Sequence, residues 1–155
     1  MNLDITQFAF GERPQPHIPD NSIYEILGEA GIRRMISNHY DLLVESEIKH
    51  LFPFEKDELD YAKQKAADFI IQRFGGPDYY NQRVGKPLLV KRHAPFKITA
   101  TARVVWLECY REALLKEDLP EEVVESYWKF LDEFSSWMVN TQEDPGFKSG
   151  GFTLG

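Results

Sequence analysis

The chain holds one cysteine, Cys109, in 155 residues. That excludes an intramolecular disulfide and any site built from several thiolates. Positive charge is also short. Against 25 Asp and Glu there are 18 Lys and Arg, leaving a net charge of −7. Nucleic acid and anionic lipid both require a basic face, so neither is expected as the main partner. No apolar run approaches the length that spans a bilayer. The opening MNLDITQFAF lacks the basic-then-apolar order of a secretory leader, so a cytoplasmic protein is expected. Strand-like alternation is nearly missing, and no internal repeat or low-complexity block occurs. There is no HExxH, phosphate loop, GxSxG or paired CxxC, and FGGP is too short for a dinucleotide fingerprint.

What the chain does have is rings: Phe, Trp and Tyr make up 14% of it, and they need a large interior. At this length one domain can bury such a core without covalent staples. Residues 1–21 carry Pro14, Pro16 and Pro19 and no helical period, and read as an extended arm that Phe8 and Phe10 would pin. Residues 142–155 read as an irregular tail. The body, 22–141, carries a series of helical signals. Ser22 and Glu25 fit a capping box, with GEAG breaking a first short helix at Gly28. Ile32, Met35, Ile36, His39, Tyr40 and Leu43 then share one helical face. Leu51, Phe52 and Pro53 mark a corner. A third helix carries Leu59, Ala62, Ala66, Phe69 and Ile70 inward and stops at Gly75 and Gly76. After a long loop a short helix runs from Leu88 to His93, where Pro95 ends it. A fifth starts near Thr99 or Thr101 with Ala102, Trp106, Cys109, Tyr110 and Ala113 inward. A sixth opens at Pro120 and turns Val123, Tyr127, Phe130, Leu131, Phe134, Trp137 and Met138 inward. The expected class is all-α, with two antiparallel helix pairs.

Among residues with chemistry, His93 is the most informative, because a helix end and Pro95 give it a rigid backbone and apolar neighbours. Neutral imidazole in a helical protein is the usual haem ligand, yet on position alone a partly buried structural histidine is the commoner case. Tyr40 and Trp106 each read two ways: as core rings bonded to backbone, or as donors to a ligand held on a metal. Ala62 and Ala66, four apart, give close helix packing or room for a flat prosthetic group. Arg92 suits either solvent or an acidic group on such a cofactor. Cys109 reads as a small core residue, and His17 and His50 have no partners at metal-ligand spacing. His39 shares a face with Tyr40, and packing suits it better than iron ligation.

FGGPDYYNQRVGKPLLVKRHAPFKI, followed by Trp106, resembles the signature of the group II (O-type) truncated haemoglobins. Its elements are Gly75-Gly76-Pro77, Tyr80, Gly85 with Pro87, and Arg92-His93 with Pro95-Phe96. The resemblance covers about residues 24–140 by counting along the chain. It implies the two-over-two helical globin fold around haem b. His93 would be the proximal iron ligand, and Tyr40 and Trp106 the distal donors. Phe52, Ala62, Ala66, Phe69, Tyr80, Arg92 and Phe96 would line the haem. Departures from the pattern are the small Ala66, His39 in place of a common phenylalanine, a longer corner after Phe52 and a longer arm.

The resemblance further implies binding of dioxygen, nitric oxide or carbon monoxide at ferrous iron. Two strong donors slow ligand release, which suits redox use such as nitric oxide detoxification better than oxygen delivery. An unidentified reductase, and a monomeric or weakly dimeric state, go with that expectation. A haem-based peroxidase and a haem-free helical interaction module are the alternatives.

Overall fold

A computed structural model describes residues 1–17 and 21–143, and among these every regular element is helical. They are α1 (Ser22–Leu43), α2 (Lys56–Arg73), α3 (Tyr79–Arg83), α4 (Leu89–His93), α5 (Ala100–Leu115) and α6 (Glu121–Ser136), with a single 3-10 turn at Lys49–Leu51. The pair α1 and α2 lies over the pair α5 and α6. α1 packs on both α2 and α5, α5 on α6, and α3 on α2. The tail expected at 142–155 lies outside the described residues from 144 onward.

Local chemistry sets the ends. Glu55 caps α2 by accepting from the Glu58 amide at 3.0 Å, and Thr99 caps α5 by accepting from the Ala102 amide at 3.1 Å. α2 closes with the paired bonds of a Schellman motif: Gly76 N donates to Ile71 O at 2.8 Å and Gly75 N to Gln72 O at 3.4 Å, with Gly75 at φ 101°. Gly76 is required for a different reason. A Cβ there would stand 2.6 Å from Ile71 Cγ2 and 2.7 Å from Tyr24 Cζ, so only a bare backbone lets the turn meet α1.

Three expectations need correction. The first helix begins at Ser22 with Asn21 in the cap position, one residue earlier than a capping box on Ser22 requires. The break at GEAG is confined to Gly28 (φ 66°, ψ −176°). There the chain bends within α1, and helix resumes at once because Ile32, Met35 and Ile36 continue the buried face. The long loop after Gly76 contains the five-residue α3, which Tyr80 anchors in the core.

The main core joins Ile32, Met35 and Ile36 of α1 to Ile70, Ile71 and Phe74 at α2, Leu107, Tyr110 and Leu114 of α5, and Tyr127, Trp128, Phe130 and Leu131 of α6. Each such side chain contributes about 1.5–3 kcal/mol when fully buried. A smaller cluster gathers Leu43, Ile48, Ala102 and Val105. Tyr40 and Trp106 pack against both clusters and are fully buried by neither.

Residues 1–17 form no regular element and run along α5 and α6. The Trp128 indole donates to Asp4 O at 2.8 Å and the Trp137 indole to Pro14 O at 2.7 Å. Thr6 donates through its amide and hydroxyl to the Asp132 carboxylate at 2.9 and 2.7 Å. Asp132 also holds Arg103, whose guanidinium donates to it at 2.7 Å, to Ser135 Oγ at 2.9 Å and to Thr6 O at 2.8 Å. Arg103 and Asp132 are both buried, and the arm supplies part of their hydrogen bonding.

Candidate functional site

α2 has two apolar faces. Ala67, Ile70, Ile71 and Phe74 are buried in the core. Leu59, Ala62, Ala66 and Phe69, at helical spacing on the other, remain half-buried. Facing elements share that incompleteness. α4 buries none of its residues, Leu88 just before it is 50% exposed and Phe96 just after it 46% exposed. A five-residue helix is not stable by itself in water. Leu89 and Val90 of α4 line a pocket together with Phe69 of that α2 face, Phe134, Trp137 and Met138.

Within α4, the His93 Nδ1–H donates to Leu89 O at 2.7 Å, one helical turn back. A carbonyl can only accept, so a proton sits on Nδ1, and in the neutral ring the lone pair is then on Nε2. Arg92 donates to Lys86 O from Nε at 3.2 Å and from Nη2 at 2.9 Å, and its guanidinium lies 5.8 Å from the Tyr80 ring centre. Tyr80 in turn meets Phe69 edge-on, with centroids 5.9 Å apart. Arg92, Tyr80 and Phe69 therefore form one continuous group.

In a second group, Tyr40 packs edge-on against Phe52 at 5.6 Å between centroids. His39 lies between Tyr40 and Trp106, with ring centroids 5.9 and 5.1 Å away, and leans on Tyr110 at 4.1 Å. It is 1% exposed, and its Nε2–H donates to the Trp106 carbonyl at 3.1 Å. Burial pushes its pKa down to about 3, so the ring is neutral and held in place. Tyr40 and Trp106 differ from it: neither the Tyr40 hydroxyl nor the Trp106 indole N–H has a hydrogen-bond partner among the described residues. No fully buried side-chain polar atom there lacks a partner, so both donors open onto accessible space. Burial pushes the Tyr40 phenol up to about 12, which keeps it a donor at neutral pH.

These residues fit a flat, largely apolar group bound through one imidazole. Among the described residues, no three His, Cys, Asp or Glu side chains gather as a metal site. A lone imidazole such as that of His93 suits a prosthetic group that brings its own remaining ligands, and the porphyrin of haem does so. Sequence reasoning listed Tyr40, Phe52 and Trp106 separately, and it is His39 that ties Tyr40 to Trp106. Its signal was its place on the apolar face of α1. Asn140, which binds the chain just past α4, carries no signal in the sequence, since a polar residue after a helix belongs to no pattern.

A family model described as bacterial-like globin matches residues 22–140. The group 2 truncated hemoglobin YjbI of Bacillus subtilis (strain 168) is 31% identical over 124 residues, covering 79% of this chain and 92% of that protein. The solved structure of phosphate-bound Hell's gate globin IV superposes with a TM-score of 0.81 at 33% identity, covering 88% of this chain and 84% of that one. The truncated oxygen-avid haemoglobin from Bacillus subtilis gives 0.69 at 30% identity, covering 76% and 98%. No helix among the described residues is long and apolar enough to cross a membrane.

Proposed function

Because the chain belongs to the bacterial-like globin family, and so binds haem and small diatomic ligands, we propose that it holds haem b through His93 and binds dioxygen at ferrous iron with Tyr40 and Trp106 as donors. One observation carries this reading: both donors lack an acceptor among the described residues, while His93 Nδ1 is already committed to Leu89 O. When bound, haem supplies the iron that takes up the diatomic molecule. Leu89 fixes the imidazole tautomer and directs its free nitrogen across the site. Phe52, Ala62, Ala66, Phe69, Tyr80 and Phe96 give the porphyrin apolar contact, and the two alanines leave it room. Arg92 offers its guanidinium to a haem carboxylate. Tyr40 and Trp106 donate to a polar diatomic ligand and slow its departure.

Slow departure favours consuming the ligand over delivering it. Nitric oxide removal fits, since dioxygen, nitric oxide and one electron together make nitrate, and the electron calls for a reductase. The oxygen-avid relative from Bacillus subtilis supports tight retention here. A peroxidase needs a distal base, and His39, the one histidine near Tyr40, is pinned to the Trp106 carbonyl with its basicity suppressed. The proposed setting is the cytoplasm, with the protein a monomer or weak homodimer.

The test is His93→Gly. The variant should lose most of its pigment and regain it when imidazole is supplied. Unchanged pigment and an unchanged reduced spectrum in the variant would refute His93 as the ligand.

A further inference from the structure

α4 buries no side chain completely, so its orientation depends on hydrogen bonds as well as on the partial packing of Leu89 and Val90. Its N-terminal side is tied by Arg92 to Lys86 O. Its C-terminal side is tied by a residue from a distant part of the chain. Asn140, four residues past α6, donates from Nδ2 to Phe96 O at 2.9 Å and, more weakly, to the carbonyl of His93 itself at 3.4 Å. Its Oδ1 accepts from Ile98 N at 3.0 Å and from the Thr141 hydroxyl at 2.7 Å. The backbone amides of Asn140 and Thr141 both donate to Ile98 O, at 3.0 and 3.1 Å. With Phe96 N donating to His93 O at 3.0 Å, residues 93–98 form a turn closed by one amide side chain.

We infer that Asn140 is a positioning residue for the proximal imidazole: it caps the carbonyl end of α4 and fixes the angle at which His93 approaches the iron. This rests on His93 being the ligand. A helix end leaves carbonyls without partners, and a donor there is worth most where few other contacts restrain the helix. Asparagine alone suits the place. The donor must reach two carbonyls and the acceptor one amide, within a side chain of one methylene. Asp keeps the acceptor and loses the donor, while Ala loses both. Asn140 is exposed, so replacing it removes no core packing.

The test uses the haem-loaded, reduced protein. Resonance Raman spectroscopy reads the iron–imidazole stretching band, and transfer of haem to an acceptor apoglobin reads retention. Asn140→Asp and Asn140→Ala should each shift or broaden the band. Each should also speed haem loss about fivefold, the factor that one net hydrogen bond confers. Should Asn140→Ala fail to fold, Asn140→Asp retains the Ile98 bond and the same two readings. A band and a transfer rate that stay at the parent values, with only the melting temperature lowered, overturn the inference and leave Asn140 a fold residue. If the parent protein shows no iron–imidazole band, or His93→Gly keeps one, the ligand assignment fails first and takes the clamp with it. The two failures are thus separable.

Discussion

His39 donates its Nε2–H to the backbone carbonyl of Trp106 at 3.1 Å, joining α1 to α5 directly behind both proposed distal donors. The ring is neutral because burial holds its pKa near 3, well below the ordinary 6.5. The unfolded chain therefore binds this proton at a pH where the folded chain does not. Stability from His39 is complete above about pH 6.5 and is lost as pH falls from there toward 3. At pH 5 the loss is about 2 kcal/mol by linkage. Urea unfolding of the parent and of His39→Phe at pH 7 and pH 5 checks this. The variant should lose less stability over that interval, by roughly the same 2 kcal/mol. Parallel losses in the two proteins would show that His39 is not the group responsible.

Tyr40 and Trp106 present donors that no described residue accepts. A donor to a charged or strongly polar acceptor contributes about 1.5–3 kcal/mol, and about 1.4 kcal/mol is a tenfold change in an equilibrium. Tyr40→Phe and Trp106→Phe are each expected to speed dioxygen dissociation about tenfold or more, as stopped-flow displacement by carbon monoxide would record. The double variant should be faster than either. If neither variant changes the rate, the two rings are core residues and the donor assignment is lost.

What could be read in advance divides along physical lines. The stop at Gly75 and Gly76, the short helix ending at His93 and the start of a helix near Thr99 or Thr101 are local, set by backbone geometry within a few residues, and the chain spells them out. The apolar stripe of Leu59, Ala62, Ala66 and Phe69 was visible, but not its separation from the buried face at Ala67, Ile70, Ile71 and Phe74. Helical spacing shows that a face is apolar without showing whether protein or another group covers it. Trp128 and Asp132 on α6 carry no such local signal, because the groups that cover them, Asp4 and Thr6, lie more than a hundred residues earlier. The kink at Gly28 read as a full break, since the packing that resumes the helix belongs to other elements.

Gly28 allows a clean test of backbone strain. Its φ of 66° with ψ of −176° lies in a region reached almost only by glycine. A Cβ there meets nothing within 4 Å, so Gly28→Ala adds no clash. The expected cost is about 1–3 kcal/mol, all of it conformational. Denaturant unfolding should show a lower midpoint with an unchanged slope. A variant as stable as the parent would mean that α1 straightens at little cost and that the kink is not required.

The arm's hold on Asp132 makes a coupled prediction. Removing one partner of a buried ion pair costs about 3–5 kcal/mol, so Asp132→Ala should be strongly destabilising because it strands Arg103. Thr6→Val deletes only the hydroxyl that donates to the same carboxylate at 2.7 Å and should cost about 1 kcal/mol. Residues that share one acceptor do not contribute independently. In the Asp132→Ala background, Thr6→Val should therefore cost nearly nothing. Equilibrium unfolding of the four proteins measures that coupling directly. A full additive cost in the double variant would place Thr6 outside the Arg103–Asp132 network and reduce the arm to a covering segment.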